Sequence, residues 1–155
     1  MVNNKIKNNT VKIRAALPTD NEALAELWLA VSIRSQNFIE KNYWISQKSE
    51  MIHKYLPLAE TWILENDEKI AGFVSMENNY LDALFIKSEE QRKGYGKALL
   101  DHVKENRNFI DLKVYTKNQA AMDFYTREGF VIVNTEANPD TRENEHLMRW
   151  NRKTV

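Results

Sequence analysis

The stretch Leu84-Phe85-Ile86-Lys87-Ser88-Glu89-Glu90-Gln91-Arg92-Lys93-Gly94-Tyr95-Gly96-Lys97-Ala98-Leu99-Leu100 passes from an apolar run, through a polar turn holding two glycines, into an apolar stripe at helical spacing. It reads as strand, loop, helix. Gly94 and Gly96 lack a β-carbon, so the backbone can curl tightly and approach a ligand, while the free N–H groups and dipole of the following helix point at whatever lies there. Arg92, Lys93 and Lys97 add positive charge, an arrangement suited to a diphosphate rather than a single carboxylate. Two phosphate fingerprints fail on spacing. A Walker A loop needs four residues between its first Gly and a Gly-Lys-Ser/Thr, and a dinucleotide loop needs a third Gly three residues after the second.

Upstream, Thr61–Glu65, the polar Asn66-Asp67-Glu68 and Lys69–Met76 predict a hairpin, and Tyr80–Ile86 a further strand leading into the loop. Val11–Ala15 alternates as a half-buried strand. Thr19-Asp20-Asn21-Glu22 has the form of a capping box before a helix bearing Leu24, Leu27, Trp28 and Val31. The segment from Ser32 to Pro57 is rich in aromatics (Phe38, Tyr43, Trp44, Tyr55) and fits one or two short helices. Downstream, Lys97–Arg107 predicts a helix, Asp111–Tyr115 a strand and Ala120–Glu128 a helix closed by Gly129. Phe130–Val133 and His146–Trp150 complete the strands.

The chain has 155 residues, 43% of them hydrophobic, enough for one sizeable core. Residues 1–10, rich in Asn and Lys, are expected to be disordered, and 11–155 to form a single domain. Lys plus Arg (22) equals Asp plus Glu (22), so the basic excess needed for a phosphate backbone is missing and no nucleic-acid partner is expected. With no cysteine, a disulfide framework, a thiolate zinc site and a cysteine nucleophile are excluded. No metal is expected. Neither a cleavable leader pattern nor an apolar run long enough to span a bilayer is present, which predicts a cytoplasmic protein with no membrane partner.

Gln91-Arg92-Lys93-Gly94-Tyr95-Gly96 resembles the Gln/Arg-x-x-Gly-x-Gly/Ala loop of the GNAT acetyltransferases. Asn118, followed by a helix ending in Phe124-Tyr125 and then Gly129-Phe130, resembles that family's second landmark. The resemblance covers roughly residues 11 to 150 and looks closest to small bacterial enzymes. It implies an α+β fold: a mainly antiparallel, twisted six- to seven-stranded sheet, splayed between strands 4 and 5, with about four helices. It implies acetyl-CoA as cosubstrate and a primary amine as acceptor, on a small molecule or a protein. The backbone of Leu84, Phe85 and Ile86 would pair with the pantetheine arm, Gln91, Arg92, Lys93, Gly94, Tyr95, Gly96 and Lys97 would surround the pyrophosphate, and Asn118 would touch the cofactor near its thiol end.

Direct attack by a neutral amine needs a base, an oxyanion donor and an acid for the leaving thiolate. The Phe85 N–H is the expected oxyanion donor and Tyr125, beside the sulfur, the expected acid. Glu77 at a strand end, His53 in the aromatic segment, and a water route with no dedicated base all stand as means of proton removal. Asn118 also fits as the N-cap of the next helix. A non-catalytic acyl-CoA sensor is the alternative function, and monomer and homodimer both remain open.

Overall fold

The computed structural model describes residues 10–153. Of the segment expected to be disordered, residues 1–9 lie outside the described residues. Thr10 is tied down: its N–H donates to Asp67 Oδ1 (3.1 Å) and its carbonyl accepts from the Asp67 N–H (3.0 Å).

Seven strands form one sheet: β1 Val11–Ala15, β2 Glu60–Asn66, β3 Lys69–Glu77, β4 Tyr80–Ile86, β5 Phe109–Tyr115, β6 Val131–Ala137 and β7 Asn144–Asn151, in the order β1-β2-β3-β4-β5-β7-β6. Every neighbouring pair is antiparallel except β4–β5. The β2–β3 hairpin closes through Asp67 and Glu68, both left-handed (φ 52° and 68°), the turn whose twist matches that of paired strands.

Helices cover both faces. On one, α4 (Tyr95–Lys104) and α5 (Gln119–Arg127) set Leu99, Leu100, Val103 and Tyr125 against Leu64, Val74, Met76, Ile110, Leu112 and Met148. On the other, α1 (Asn21–Ser35) brings Leu24, Ala25, Leu27 and Val31 onto Ile63, Phe73 and Ala83. Beside α1 lie α2 (Lys41–Glu50), a π-helical turn (Met51–Tyr55) and the short α3 (Leu56–Leu58). Successive strand residues point to opposite faces, so the runs Ile63-Leu64 and Phe73-Val74 feed both layers at once.

Three local expectations are corrected. Thr19 does not cap α1: Pro18–Asp20 form a 3-10 turn, and the Asp20 carboxylate instead accepts from the Leu17 N–H (2.8 Å) and the Arg14 guanidinium (2.9 Å). The helix expected over Lys97–Arg107 begins at Tyr95, because left-handed Gly94 (φ 83°) turns the chain into it earlier, and stops at Lys104. Arg107 lies beyond that end and folds back, its guanidinium donating to the carbonyls of Val103 and Asn78 (2.9 Å each). The strand placed at Phe130–Val133 starts one residue later and runs to Ala137, while Phe130 is buried in the core.

The feature that makes room for a site is the β4–β5 contact. It consists of a single registered pair, Tyr80 with Asp111, fixed by the Asp111 N–H donating to the Asn79 carbonyl (2.9 Å). Past that point the two strands part.

Candidate active site

Between the parted strands lies a cleft of about 770 Å³, lined by β4, by β5, by the glycine loop and by residues of α1, α2 and α5. Its chemistry begins with the backbone of β4. The Lys87 N–H donates to the Ala71 carbonyl directly opposite (2.8 Å), so Lys87–Ala71 is a hydrogen-bonded pair. Such pairs alternate along an antiparallel ladder, so Phe85 also bonds to Phe73, while Leu84 and Ile86 turn their N–H and C=O groups the other way, toward the cleft. The oxyanion role expected of the Phe85 N–H is therefore corrected: that group faces β3. Leu84 and Ile86 supply the free edge, and the Phe85 ring stacks on Phe73 (6.0 Å) under α1.

A bulge inverts this parity. Ser75 pairs with Ala83 but Met76 pairs with Leu81, leaving Asp82 as the extra residue. Before it the Asn79 carbonyl faces β5; after it the groups that face that way are those of Leu84 and Ile86. The same insertion puts Leu81 and Leu84, three apart, on the α4 face.

The loop after β4 behaves as its glycines suggest. Arg92 (φ 66°) and Gly94 (φ 83°) are left-handed, and α4 starts at Tyr95 with its first internal bond made by the Ala98 N–H to the Gly94 carbonyl (3.1 Å). The N–H groups of Tyr95, Gly96 and Lys97 at the helix start are left to a ligand. Gln91 closes the other side by donating to the Ile86 carbonyl (3.1 Å). The charges are not equally available: Lys93 pairs with Glu90 (2.8 Å) and Lys97 lies between Asp101 (3.2 Å) and Glu128 (3.3 Å), whereas Arg92 makes no ion pair among the described residues.

Asn118 lines the cleft and caps α5, its Oδ1 accepting from the Ala121 N–H (3.2 Å). Tyr125, 9% exposed, is held edge-on between Phe124 (5.1 Å) and Phe130 (5.4 Å). Its hydroxyl makes no hydrogen bond to another described residue, and burial pushes its pKa well above the ordinary tyrosine value, so the group is a proton donor at any working pH.

Of the candidate bases, the structure places only Glu77 near the cleft. It ends β3 opposite Tyr80, and its carboxyl meets that of Asp82, which lines the cleft. Partial burial and the adjoining Glu77 carboxyl push Asp82 up to about 8, so Asp82 is mostly protonated at neutral pH. His53 sits elsewhere, exposed on the π-helical turn, with Nδ1 3.0 Å from the Ser49 carbonyl and outside the cleft lining. Sequence reasoning missed Asp82. The available signal is a lone carboxylate inside the otherwise apolar Leu81–Ile86 run.

The two halves of the site lie on opposite faces of the sheet. Tyr125 belongs to the α4–α5 layer, whereas Glu77 and Tyr80 follow Met76 and precede Leu81, both inward on that layer, and so face α1. On the α1 side the wall is aromatic: Trp28 meets Trp44 edge-on (5.7 Å), Trp44 meets Tyr43 (5.2 Å), and Phe38 meets Tyr115 (5.6 Å), while Tyr55 is exposed. Among the described residues no group of His, Cys, Asp or Glu is placed to hold a metal, and no helix is long and apolar enough to cross a membrane.

A free strand edge beside a splay, a helix N-terminus at its end and opposed proton-transfer groups together define an acyl-coenzyme-A-dependent acyltransferase. The comparisons agree. Residues 22–143 match the acetyltransferase (GNAT) domain. The peptidyl-lysine N-acetyltransferase YiaC of Escherichia coli (strain K12) is 37% identical over 139 residues, covering 89% of this chain and 95% of YiaC. The solution structure of apo YjaB from Escherichia coli superposes with a TM-score of 0.81 at 21% identity, covering 91% of this chain and 97% of that one. YncA of Salmonella typhimurium, solved with its cofactor acetyl-CoA, gives 0.67 at 12%, covering 94% and 96%. The chain belongs to the GNAT acetyltransferase family. It is an N-acetyltransferase that uses acetyl-CoA, and the catalytic reading prevails over the non-catalytic sensor.

Proposed function

We propose that the acceptor is the side-chain amine of a lysine in a polypeptide. The observation that carries the reading is the cleft's passage through the sheet: a lysine entering from the aromatic α1–α2 face meets the Asp82–Glu77 pair before the β4 edge where a thioester would lie. The 37% identity to YiaC, a peptidyl-lysine acetyltransferase, supports the same acceptor.

Acetyl-CoA would supply the acetyl group, its pantetheine arm along the cleft-facing backbone of Leu84 and Ile86 and its pyrophosphate at the N–H groups of Tyr95–Lys97. This chain's residues then handle two protons. The lysine arrives as an ammonium, and Asp82, in the fraction that is ionised, takes its proton. The free amine adds to the thioester carbonyl; the N–C bond forms and the carbonyl electrons move to oxygen, where a cleft-facing N–H of Leu84 or Ile86 stabilises them. When the C–S bond breaks, Tyr125 protonates the departing thiolate and is restored by the proton that the new amide nitrogen sheds. Amide and CoA leave, and Asp82 returns its proton to solvent.

The test is direct: purified enzyme, acetyl-CoA and a lysine-containing peptide, read by peptide mass and thiol release. The expected outcome is one acetyl group per lysine with stoichiometric CoA. Thiol release only with small free amines, and unmodified peptides throughout, would overturn the proposal.

A further inference from the structure

The α1–α2 side of the cleft contains a second carboxylate that the reaction above does not use. Glu145, on β7 opposite Tyr115, lines the cleft and accepts a hydrogen bond from Asn138 Nδ2 (3.1 Å). Asn138 is fixed in turn by its Oδ1, which accepts from the N–H groups of Asp140 (2.8 Å) and Thr141 (3.0 Å), and Thr141 Oγ1 reaches the Tyr115 hydroxyl (3.5 Å). The β6–β7 loop therefore locks Glu145 in place, and among the described residues no cation pairs with it.

Its surroundings are three phenols. Burial first, then neighbouring carboxylates with Glu145 among them, raise the pKa of Tyr43, Tyr80 and Tyr115, the last two to about 12. A carboxylate with neutral phenols nearby, Tyr115 directly across the β5–β7 ladder, suits a cation, by charge and through the rings. Trp44 in the same wall is 6% exposed, and its indole N–H has no acceptor among the described residues, an unmatched donor of the kind a bound chain can satisfy. Of the cations on this side, Lys117 pairs with Glu143 (3.0 Å) and Arg149 with Asp111 (2.6 Å), and Lys113 is exposed and makes no ion pair among the described residues. It does not neutralise Glu145.

We infer that Glu145 is a specificity-determining residue that binds a second positive charge on the acceptor, the side chain of a lysine or arginine close to the lysine being acetylated. The reacting amine cannot be its partner during the chemistry, because it is then neutral and occupied by Asp82. The inference rests on the polypeptide-lysine reading and narrows it to basic sequence contexts.

Two peptides identical except for Arg or Gln beside the target lysine separate the outcomes, assayed with wild-type enzyme and with Glu145→Gln. The glutamine carbonyl still accepts from Asn138, so only the charge is lost. Wild-type enzyme should favour the Arg peptide roughly fivefold in kcat/KM, the upper end for a solvent-accessible ion pair. The preference should reside in KM, shrink toward one at about 0.5 M salt, and disappear in Glu145→Gln with acetyl-CoA affinity unchanged. Equal use of both peptides by the wild type, or a preference surviving in the variant, overturns the inference and leaves lysine acetylation standing. If neither peptide is acetylated, the acceptor reading falls and the inference with it.

Discussion

Replacing Glu77 by Gln should make the enzyme faster at neutral pH, an outcome that few substitutions beside a catalytic group would give. With Asp82 at about 8, roughly 9% of the enzyme carries the ionised base at pH 7, about half at pH 8 and about 90% at pH 9. Wild-type kcat should accordingly climb about tenfold between pH 7 and pH 9, with Tyr125 protonated throughout. Two causes hold Asp82 high, partial burial and the Glu77 carboxyl. Glu77→Gln removes only the second. A loss of about one unit, modest for a like charge in contact, would leave about half the base ionised at pH 7. A weaker base is also a slower one, so the net gain at pH 7 should be about two- to fivefold, with the acidic limb moved down about one unit. The assay is single-turnover transfer to a saturating lysine peptide from pH 6 to 9.5, which keeps product release from masking chemistry. A flat wild-type profile, or a limb unmoved in a folded Glu77→Gln enzyme that binds acetyl-CoA normally, would refute the role given to Asp82 and its neighbour.

Tyr125→Phe should lower kcat by about 100- to 1000-fold, within the usual contribution of a proton donor of about 10²–10⁴, while the acetyl-CoA dissociation constant from calorimetry stays the same; unchanged turnover would remove the hydroxyl from the reaction. Gly96→Ala should split stability from binding. A β-carbon there makes only ordinary contacts, with the Phe124 ring at 3.5 Å and Ile86 Cγ1 at 4.0 Å, and alanine favours the helix by about 0.5–1 kcal/mol, so the melting temperature should rise while acetyl-CoA affinity falls about tenfold or more (~1.4 kcal/mol). Unchanged affinity would mean that the glycine serves the helix start alone. Gly72→Ala should destabilise by about 3 kcal/mol in denaturant titration, because its β-carbon would lie 2.4 Å from Ile86 Cδ1 and 2.7 Å from the Phe85 carbonyl oxygen. Native stability in that variant would show that β3 and β4 are free to separate.

The division between sequence and tertiary structure follows the range over which each feature is set. The strand-loop-helix at Leu84–Leu100 is local: two glycines permit the left-handed turn and the close approach, and the apolar stripe of Leu99, Leu100 and Val103 starts the helix. It was therefore legible, as were the Asp67-Glu68 hairpin, the Asn118 cap and the Tyr125 position carried by the family's second landmark. What the chain could not declare on its own lies between segments. The splay depends on β4 and β5 sharing only the Tyr80–Asp111 pair, and which N–H groups reach the cleft depends on register against β3, which turns Leu84 and Ile86 toward it and Phe85 away. Asp82 gained its proton affinity from partial burial in the fold and from a bulge that set its carboxyl against that of Glu77, five residues earlier on another strand. Glu145 became a fixed, unpaired charge only when the β6–β7 loop closed over it. Periodicity reports which face a residue takes; pairing register and bulges, decided by the packing of the whole sheet, settle which groups meet.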